Sequence, residues 1–401
     1  MYIPFLASTL PESRPGLHAT GYVVVRVPVP PTDQYTGTPK LQDGTPGLHL
    51  SENVLAIYYP TPNTTGHPEG VPWTPDPIAG AMTGYARFGR RNLGPWSSWL
   101  GQKILGRFRM PVHPAAPVSE GKFPLVIFSH GLVGTRNTYS QFCSSLASEG
   151  YVVVAVEHSD GSSPCVVRDG KDKVFTRLGD TDLWEDDGTD PVKAPEMMLW
   201  RAHQLDLRVR EVYAAYKGFK RFLSGDAETD ASATAAALQD KVDVEDLQLI
   251  GHSFGGATIL RLLQTSHSST LPVKRAVLLD PWMEPFTRAL PSSPSTVAPP
   301  PTQSILSAEW VNNHFFPDLL KGARQIDASL CSIVGLSHQG FSDFGVMLPG
   351  KGHEYLQTIH TLTMARLRDQ PFPFDGEPDG GEPARVDGLL AGELGKVVRH
   401  L

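Results

Sequence analysis

The stretch LQLIGHSFGGATIL, residues 247–260, decides the fold. It contains the pattern G-x-S-x-G, in which Ser253 lies between Gly251 and Gly255. The apolar run before the pattern predicts a β-strand and the residues after it predict a helix, so the serine falls at a sharp strand-to-helix turn. Side chains at the two glycine positions are expected to clash in so tight a turn. This context is typical of a nucleophilic serine, whereas the alternative is a glycine-rich turn with an N-capping serine.

Other apolar runs have the continuous hydrophobic pattern of strands that are covered on both faces. Phe123–Phe128 and Tyr151–Val156 are two such runs, and Asn137–Ser148 between them has helical character. A strand, a helix and a second strand in succession are typical of a parallel sheet. A further strand, Ala276–Leu279, and a long amphipathic helix, Glu196–Leu223, continue the alternation. The chain therefore predicts an α/β fold with a mostly parallel, doubly wound sheet.

The first part of the chain has a different pattern. Gly21–Val27 and Val54–Tyr59 are β-prone runs, which we expect to form antiparallel strands at a sheet edge. Residues 60–117 are rich in Pro and Gly, and residues 159–192 are polar. We expect both of these segments to be loop insertions.

The composition fits one globular domain with a large core, because 40% of the 401 residues are hydrophobic and 19% are charged. We expect residues 1–401 to form a single domain. Residues 1–50 are interpreted as an N-terminal extension that carries an edge strand, and residues 369–401 as a C-terminal tail.

Charge and composition also argue against several classes of function. The formal net charge of −7 gives no basic footprint, so nucleic acid is not expected as a partner. No run approaches the about 18 apolar residues of a membrane-spanning helix, and the N-terminus lacks the basic start of a secretory signal. Three scattered cysteines without metal-ligand spacing predict reduced thiols and no metal. We therefore expect a cytoplasmic protein, and nothing in the sequence indicates its oligomeric state.

A serine hydroxyl is a weak nucleophile, so it needs a base, and the base needs an orienting carboxylate. In α/β-hydrolases these groups follow in the order Ser, Asp or Glu, His. Asp280 ends the apolar run Ala276–Leu279 and directly precedes Pro281. It is the candidate acid, and the alternative is a surface aspartate that caps a turn.

The candidate base has to be chosen among the histidines after Asp280, which are His314, His338, His353, His360 and His400. His338 follows the β-prone run Cys331–Val334 through a short loop of small residues, as the order of groups requires. His353 and His360 share a predicted helix, where a histidine is by default a surface or core residue. Spacing alone favours His338 and leaves these two open.

Two backbone N–H groups are candidates for an oxyanion hole. One donor in this fold follows the nucleophile, here Phe254, and the other comes from a loop after an earlier strand. The segment SHGLVG, residues 129–134, lies directly after the strand Phe123–Phe128. Gly131 would let the backbone turn so that the N–H of Leu132 points at the substrate oxygen. The alternative for this segment is a plain strand-to-helix turn.

With these parts identified, the chain resembles the platelet-activating factor acetylhydrolases of the plasma and type II intracellular kind, which are α/β-hydrolases. The stretches that carry the resemblance are LAIYYPT (55–61), FPLVIFSHGLVGTRNTYS (123–140), VVAVEHSDGSSP (153–164), IGHSFGGAT (250–258), LLDPWMEP (278–285) and LSHQGFSDF (336–344). The resemblance places the family's triad on Ser253, Asp280 and His338, and its oxyanion donors on the two N–H groups named above. It therefore favours His338 over His353, whose surroundings do not match.

The resemblance implies calcium-independent hydrolysis of the short sn-2 acyl ester, acetyl, of a glycerophospholipid through an acyl-enzyme, without a cofactor. It also suggests His130, Gly131, Trp282, Gln339 and Phe341 as residues of the substrate pocket. Two alternatives stay open. One is a short-chain carboxylesterase or polyester hydrolase with the same machinery, and the other is a non-catalytic α/β-hydrolase relative that acts as a binding module.

A phospholipid substrate is amphiphilic, so contact with a membrane surface is expected of such an enzyme. Trp96, Trp99 and Leu100 are candidates for an interfacial patch, because tryptophan favours the headgroup region. We nevertheless favour the interpretation that they are ordinary core aromatics in a long loop. The segments 160–195 and 286–302 match nothing in the resemblance, and we expect these loops to shape substrate entry.

Overall fold

The protein is described by a computed structural model. It describes residues 9–400, except for 14, 64–69, 169, 186–189, 191–192, 227–230, 348, 374–384, 387–388 and 391–393. Parts of the N-terminal extension, of the segment 160–195 and of the C-terminal tail lie outside these residues.

The strands of the described residues range from short pairs to long strands of the central sheet. In chain order they are β1 (Ala19–Pro28), β2 (Tyr35–Lys40), β3 (Pro46–Leu50), β4 (Glu52–Thr61), β5 (Val71–Pro72), β6 (Arg109–Met110), β7 (His113–Pro114), β8 (Phe123–Ser129), β9 (Val152–Glu157), β10 (Cys165–Arg168), β11 (Lys171–Val174), β12 (Val242–His252), β13 (Val273–Leu279), β14 (Thr302–Ser307), β15 (Ser329–Ile333), β16 (Arg385–Val386), β17 (Leu389–Leu390) and β18 (Val397–Arg399).

The helices connect these strands. They are α1 (Ile78–Phe88), α2 (Pro95–Gly106), α3 (Ser140–Ser148), α4 (Glu196–Leu223), α5 (Ser232–Leu238), α6 (Phe254–Leu263), α7 (Ala308–Val311), α8 (Phe316–Gln325), α9 (Phe344–Met347) and α10 (Gly352–Leu367). The helix expected over Glu196–Leu223 has these bounds as predicted.

The central sheet has ten strands in the order β18-β15-β14-β13-β12-β8-β9-β4-β1-β7. The strands from β9 to β15 in this order are parallel. β4 pairs antiparallel with β9, and β1 antiparallel with β4. The predicted α/β-hydrolase architecture, a mostly parallel sheet with antiparallel N-terminal strands, is confirmed. At the far edge β18 pairs antiparallel with β15, so residues near the C-terminus extend the sheet.

Alternate residues of the central strands face opposite layers of helices, because successive side chains of a strand point to opposite faces. In β8, Leu125 and Ile127 pack in a core cluster with side chains of α4 and α6. Val126 and Phe128 pack in a second cluster with side chains of α3 and α10. The sheet is therefore covered on both sides, which explains why its central strands are continuous apolar runs.

The expectation that residues 60–117 form a loop was wrong, because α1 and α2 lie inside this segment. Gly80 and Gly84 of α1 look like helix breakers in the sequence. In the structure they allow close packing, since a Cβ atom at Gly84 would lie 1.7 Å from the carbonyl oxygen of Pro164. The small residues thus serve the approach of α1 to a neighbouring segment rather than a turn.

The segment 159–192 is likewise not a simple loop. β10 and β11 form an antiparallel hairpin within it. The second of these strands, KDKV, is mostly charged and exposed, so it lacks the apolar alternation by which a strand is recognised. The three cysteines, Cys143, Cys165 and Cys331, are free and buried.

Candidate active site

Ser253 lies at the turn between β12 and α6, with φ 57° and ψ −118°. A positive φ is strained for a residue with a side chain and is a feature of nucleophile elbows. The turn has no room on either side of the serine. A Cβ atom at Gly251 would lie 2.3 Å from the carbonyl oxygen of Gly255, and one at Gly255 would lie 1.9 Å from that of Ser129. The glycines at these two positions are therefore required by steric contact.

Three side chains from different strand ends form a hydrogen-bonded chain. Nε2 of His338 lies 3.0 Å from Oγ of Ser253, and Nδ1 of His338 lies 2.9 Å from Oδ2 of Asp280. The exposed fraction of Ser253 is 7% and that of Asp280 is 0%. A second hydrogen bond holds the carboxylate, because the N–H of Ser307 donates to its Oδ1 at 2.6 Å. This arrangement has the geometry of a nucleophile, a base and an orienting acid.

The alternative bases lie elsewhere. His353 and His360 are both on α10. Nε2 of His360 lies 3.6 Å from a carboxylate oxygen of Glu149, on the face of the sheet that α3 and α10 cover. The structure therefore brings His338, and neither of these two residues, to Ser253.

Burial raises the pKa of the Asp280 carboxyl, and its hydrogen bonds to His338 and Ser307 lower it and so oppose that effect. A carboxylate that accepts an N–H of the imidazole at Nδ1 leaves Nε2 of that ring as an acceptor. Nε2 is the atom that faces the Ser253 hydroxyl. The site is thus arranged for proton transfer from Ser253 to His338.

Residues after β14 hold the imidazole, and the sequence did not reveal them. The indole of Trp310 stacks on the ring of His338, with 3.7 Å between the centroids and 3° between the planes. Nε1 of Trp310 donates to the carbonyl oxygen of Pro281 at 2.9 Å. A carboxylate oxygen of Glu309 accepts the backbone N–H of His338 at 2.8 Å. The available signal was position alone, since these residues follow a parallel strand at the edge where functional side chains gather.

The N–H groups of Leu132 and Phe254 both belong to the surroundings of Ser253. A Cβ atom on Gly131, which precedes Leu132, would lie 3.0 Å from Cβ of Ser253. Phe254 is the first residue of α6, where the N–H groups have no partner within the helix. Among the described residues, neither N–H donates to an acceptor. Two free donors next to a nucleophile are the geometry of an oxyanion hole.

Tyr139 links the oxyanion loop to the histidine next to the nucleophile. Its hydroxyl accepts the N–H of Gly131 at 3.2 Å and lies 2.6 Å from Nδ1 of His252. Burial lowers the pKa of His252 well below its usual range, so this imidazole is neutral. The ring of His252 in turn packs against that of His338 at 4.5 Å between centroids.

A buried arginine of α4 contacts the residue before Gly131 and the ring of Phe254. Nη1 of Arg208 donates to the carbonyl oxygen of His130 at 2.7 Å, and Nε donates to Asp160 at 2.8 Å. The guanidinium also lies over the ring of Phe254, 4.5 Å from its centroid. This contact could not be predicted from the sequence, because Arg208 lies in the middle of an amphipathic helix.

A cavity of about 990 Å³ adjoins the site and includes Leu132 and Trp282 in its wall. Other residues expected in a pocket are placed differently. His130 and Phe341 are each 1% exposed. The His130 ring bonds to backbone groups of Gly131 and His158, and Phe341 packs on His252. Gln339 is exposed, and none of these three is among the described residues of the cavity wall.

The aromatic cluster lies on α2 and is exposed to solvent. The exposed fractions are 78% for Trp96, 51% for Trp99 and 50% for Leu100, and Ile104 of the same helix is 41% exposed. The favoured interpretation, that these residues are core aromatics, was therefore wrong. Among the described residues, no helix combines the length and apolar composition needed to cross a bilayer.

One set of side chains has the spacing of metal ligands. Ligand atoms of His252, Asp280 and His338 lie within 4.8 Å of one another. Both ring nitrogens of His338 already form hydrogen bonds, one to Ser253 and one to Asp280. A metal ion here would have to break the chain that activates the serine, so the donor set favours a catalytic triad over a metal site.

Comparison with known proteins gives consistent matches. The family profile described as platelet-activating factor acetylhydrolase, isoform II, matches residues 35–358. The platelet-activating factor acetylhydrolase of Canis lupus familiaris is 31% identical over 280 residues, which are 65% of this chain and 58% of that protein. The enzyme of the same name from Gallus gallus is 27% identical over 314 residues, which are 72% of this chain and 68% of that protein. The chain thus spans 58% of the length of the dog protein.

Two further matches are more distant or shorter. A putative phospholipase A2 of Schizosaccharomyces pombe is 30% identical over 188 residues, which are 42% of this chain and 43% of that protein. Among solved structures, a ferulic acid esterase from Streptomyces cinnamoneus has a TM-score of 0.58 at 15% identity, and the match covers 92% of this chain and 96% of that one. This likeness supports the α/β-hydrolase fold.

Proposed function

The chain belongs to the family of platelet-activating factor acetylhydrolases, isoform II, and from this premise we propose that it is a serine esterase. Its substrates are glycerophospholipids of the platelet-activating factor type, from which it removes the short sn-2 acetyl group. The observation that carries the proposal is the hydrogen-bonded chain from Ser253 through His338 to Asp280. Next to it are two backbone N–H groups that donate to no acceptor among the described residues.

Acylation begins when Oγ of Ser253 attacks the acetyl carbonyl carbon. Nε2 of His338 takes the hydroxyl proton, and the carboxylate of Asp280 stabilises the imidazolium that forms. The carbonyl oxygen becomes an oxyanion and accepts hydrogen bonds from the N–H groups of Leu132 and Phe254. Loss of one such donor typically costs about a hundredfold in rate or more. The tetrahedral intermediate then collapses, and His338 protonates the departing sn-2 oxygen of the lyso-lipid.

Deacylation repeats these steps with water as the nucleophile. His338 takes a proton from a water molecule, whose oxygen attacks the carbonyl of the acetyl-enzyme. The second tetrahedral intermediate collapses when His338 returns the proton to Oγ of Ser253 and acetate leaves. The residues named in these two stages supply all the proton transfers, so calcium has no part in them.

A second candidate function follows from the size of the cavity. About 990 Å³ is far more than an acetyl group fills, so hydrolysis of larger soluble esters or of polyesters fits the same machinery. A third interpretation, a non-catalytic binding module, is disfavoured because a complete triad geometry is present.

We also propose that α2 contacts the membrane surface from which the substrate is taken. Trp96, Trp99, Leu100 and Ile104 expose apolar side chains on one short helix, and tryptophan is favoured at the headgroup region. Replacing Trp96 and Trp99 by serine should lower the rate on substrate in vesicles relative to the rate on a soluble ester. An unchanged ratio would contradict the contact.

The three free, buried cysteines support a cytoplasmic location.

The substrate is tested by comparing turnover of an sn-2 acetyl phospholipid with that of its long-chain analogue and of p-nitrophenyl acetate. The proposal predicts the highest kcat/KM for the acetyl phospholipid and a marked fall for the long-chain analogue. Equal turnover of both phospholipids would refute the preference for a short acyl chain. Turnover of p-nitrophenyl acetate alone would refute the phospholipid substrate and favour the second candidate.

A further inference from the structure

The cavity next to the oxyanion donors contains an unusual charged group. Its wall combines apolar side chains such as Phe175 and Trp282 with charged ones, and Arg201 of α4 belongs to the same wall. The carboxylates of this wall, Asp180, Asp190 and Glu284, each have another partner. Arg201 is 5% exposed. A buried guanidinium is costly unless hydrogen bonds and an opposite charge compensate it.

Within the described residues, the hydrogen bond and the ring contact of Arg201 involve uncharged partners. Nη1 donates to Oε1 of Gln204 at 2.5 Å, and the guanidinium lies 5.6 Å from the centroid of the Phe175 ring. Both partners are uncharged. Among the residues that the structure describes, no carboxylate is within salt-bridge distance of Arg201.

Three other arginines of the cavity wall differ from Arg201. Arg177 is only half-buried, and its guanidinium donates to the carbonyl oxygen of Arg87. Arg87 pairs with Asp180 and Arg90 pairs with Asp190. Their side chains are also 32% and 48% exposed, so solvent compensates them as well. Arg201 is thus the guanidinium of this wall that combines burial with an unpaired charge, within the described part of the chain.

The carboxylate of Asp160 does not neutralise Arg201. The carboxylate of Asp160 raises the pKa of Arg201, but its two oxygens are taken by Arg208 at 2.8 Å and by the N–H of Ser162 at 3.0 Å. Two buried arginines therefore share one carboxylate. Burial lowers the pKa of Arg201 to about 10, so the side chain stays positively charged at neutral pH.

The position of Arg201 on α4 relates it to the reacting centre. Leu205, one helical turn further on, packs in one cluster with Phe254, whose N–H is an oxyanion donor. Residues four apart lie on the same face of a helix, about 6 Å apart along its axis. In a glycerophospholipid only the sn-2 and sn-3 carbons and one oxygen separate the ester oxygen from the phosphorus. The anionic group of such a substrate and its scissile ester are thus close enough to lie in one cavity.

We propose that Arg201 is the anion-binding residue of the substrate cavity and binds an oxyanionic group of the ester substrate. The planar fork of a guanidinium suits the paired oxygens of a phosphodiester or a carboxylate. The group belongs either to the headgroup on the leaving-alcohol side or to the far end of the acyl chain. The proposal rests on the function proposed above and adds a residue that selects the substrate.

The test replaces Arg201 by Met, which keeps an unbranched apolar side chain and removes the charge. Two matched pairs of esters separate the sources of the anion. A 1-alkyl-2-acetylglycerophosphocholine is compared with the 1-alkyl-2-acetylglycerol that lacks the phosphate, and the p-nitrophenyl monoester of glutaric acid with p-nitrophenyl valerate. The quantity measured is the ratio of kcat/KM between the anionic and the neutral member of each pair.

We expect Arg201→Met to lower this ratio by about ten- to a hundredfold in one pair, mainly through KM, as the loss of hydrogen bonds to a charged group predicts. A fall in the phosphate pair assigns the headgroup, and a fall in the glutarate pair assigns the acyl end. Arg201→Lys should fall between Met and the wild type. Arg210→Met makes the same change on α4, at a residue that pairs with Asp206, and should leave both ratios unchanged.

Unchanged ratios in both pairs, or equal losses on the charged and neutral members, would overturn the proposal. If Arg201→Met does not fold, inhibition of the wild-type enzyme tests the proposal instead. Glycerophosphate or glutarate should inhibit p-nitrophenyl acetate hydrolysis competitively and glycerol should not, and equal inhibition by all three would overturn the proposal. The proposed function fails separately, when Ser253→Ala retains esterase activity or when no phospholipid is hydrolysed.

Discussion

Replacement of Asp280 by asparagine should remove activity by changing the tautomer of His338. The backbone N–H of Ser307 lies 2.6 Å from Oδ1 of Asp280, and Nδ1 of His338 lies 2.9 Å from Oδ2. Because the N–H of Ser307 needs an acceptor, the amide oxygen takes the place of Oδ1 and the NH₂ group takes that of Oδ2. The amide then donates to Nδ1, so the imidazole proton moves to Nε2.

An imidazole that carries its proton on Nε2 does not accept the proton of the Ser253 hydroxyl. In serine hydrolases the wrong tautomer of the base lowers kcat by about 10⁴, which corresponds to about 5 kcal/mol of transition-state stabilisation. Asp280 is 0% exposed and does not reach the substrate. KM should therefore change little, and the loss should fall on kcat.

The assay is steady-state hydrolysis of p-nitrophenyl acetate by the wild type and by Asp280→Asn. Urea unfolding checks that both are folded, and Asp318→Asn, at an exposed aspartate of α8, is the matched control without an expected effect. A loss of kcat below about tenfold in a folded Asp280→Asn protein would refute the tautomer argument.

Three further predictions concern the surroundings of the site. Tyr139→Phe removes the hydroxyl bonded to Gly131 and His252. Urea unfolding should show that the variant loses about 1–3 kcal/mol of stability, and kcat should fall more than KM rises. A stability and a kcat equal to those of the wild type would contradict these contacts. Gly255→Ala forces a Cβ atom to 1.9 Å from a backbone oxygen, so soluble expression should fail, and a folded, active variant would contradict the elbow geometry. Burial raises the pKa of Asp343 from 3.8 to about 7, so the stability it contributes is complete below pH 3.8 and is lost as the pH rises through 7. The urea midpoint should accordingly drop between pH 5 and pH 8, and Asp343→Asn should reduce this drop; an equal drop in both proteins would contradict the shift.

The sheet was predictable because its central strands are buried on both faces and therefore appear as continuous apolar runs. Helix α4 was predictable for a related reason, since its apolar side chains recur with helical spacing. Helix α1 was not predicted, because its glycines have the pattern of a turn and their role depends on a segment more than seventy positions away, at Pro164. Local patterns do not contain such contacts.

Some residues of the candidate site could likewise be predicted from the sequence and others could not. Ser253 and Asp280 follow apolar strands directly, so the sequence indicates both, and their geometry agrees with that expectation. Trp310 and Arg201 carry no such signal. The stacking of Trp310 on His338 depends on how distant elements pack. So does the position of Arg201, which lies beyond salt-bridge distance of every carboxylate that the structure describes. A sequence pattern contains neither contact.

The central claim is that Ser253 is the nucleophile, and covalent labelling with a fluorophosphonate tests it most directly. Peptide mass spectrometry of the labelled protein should place one adduct on Ser253, and His338→Ala should slow its formation strongly. The account is contradicted if no adduct forms, or if the label is on another serine such as Ser129, whose hydroxyl also contacts a buried histidine, His158.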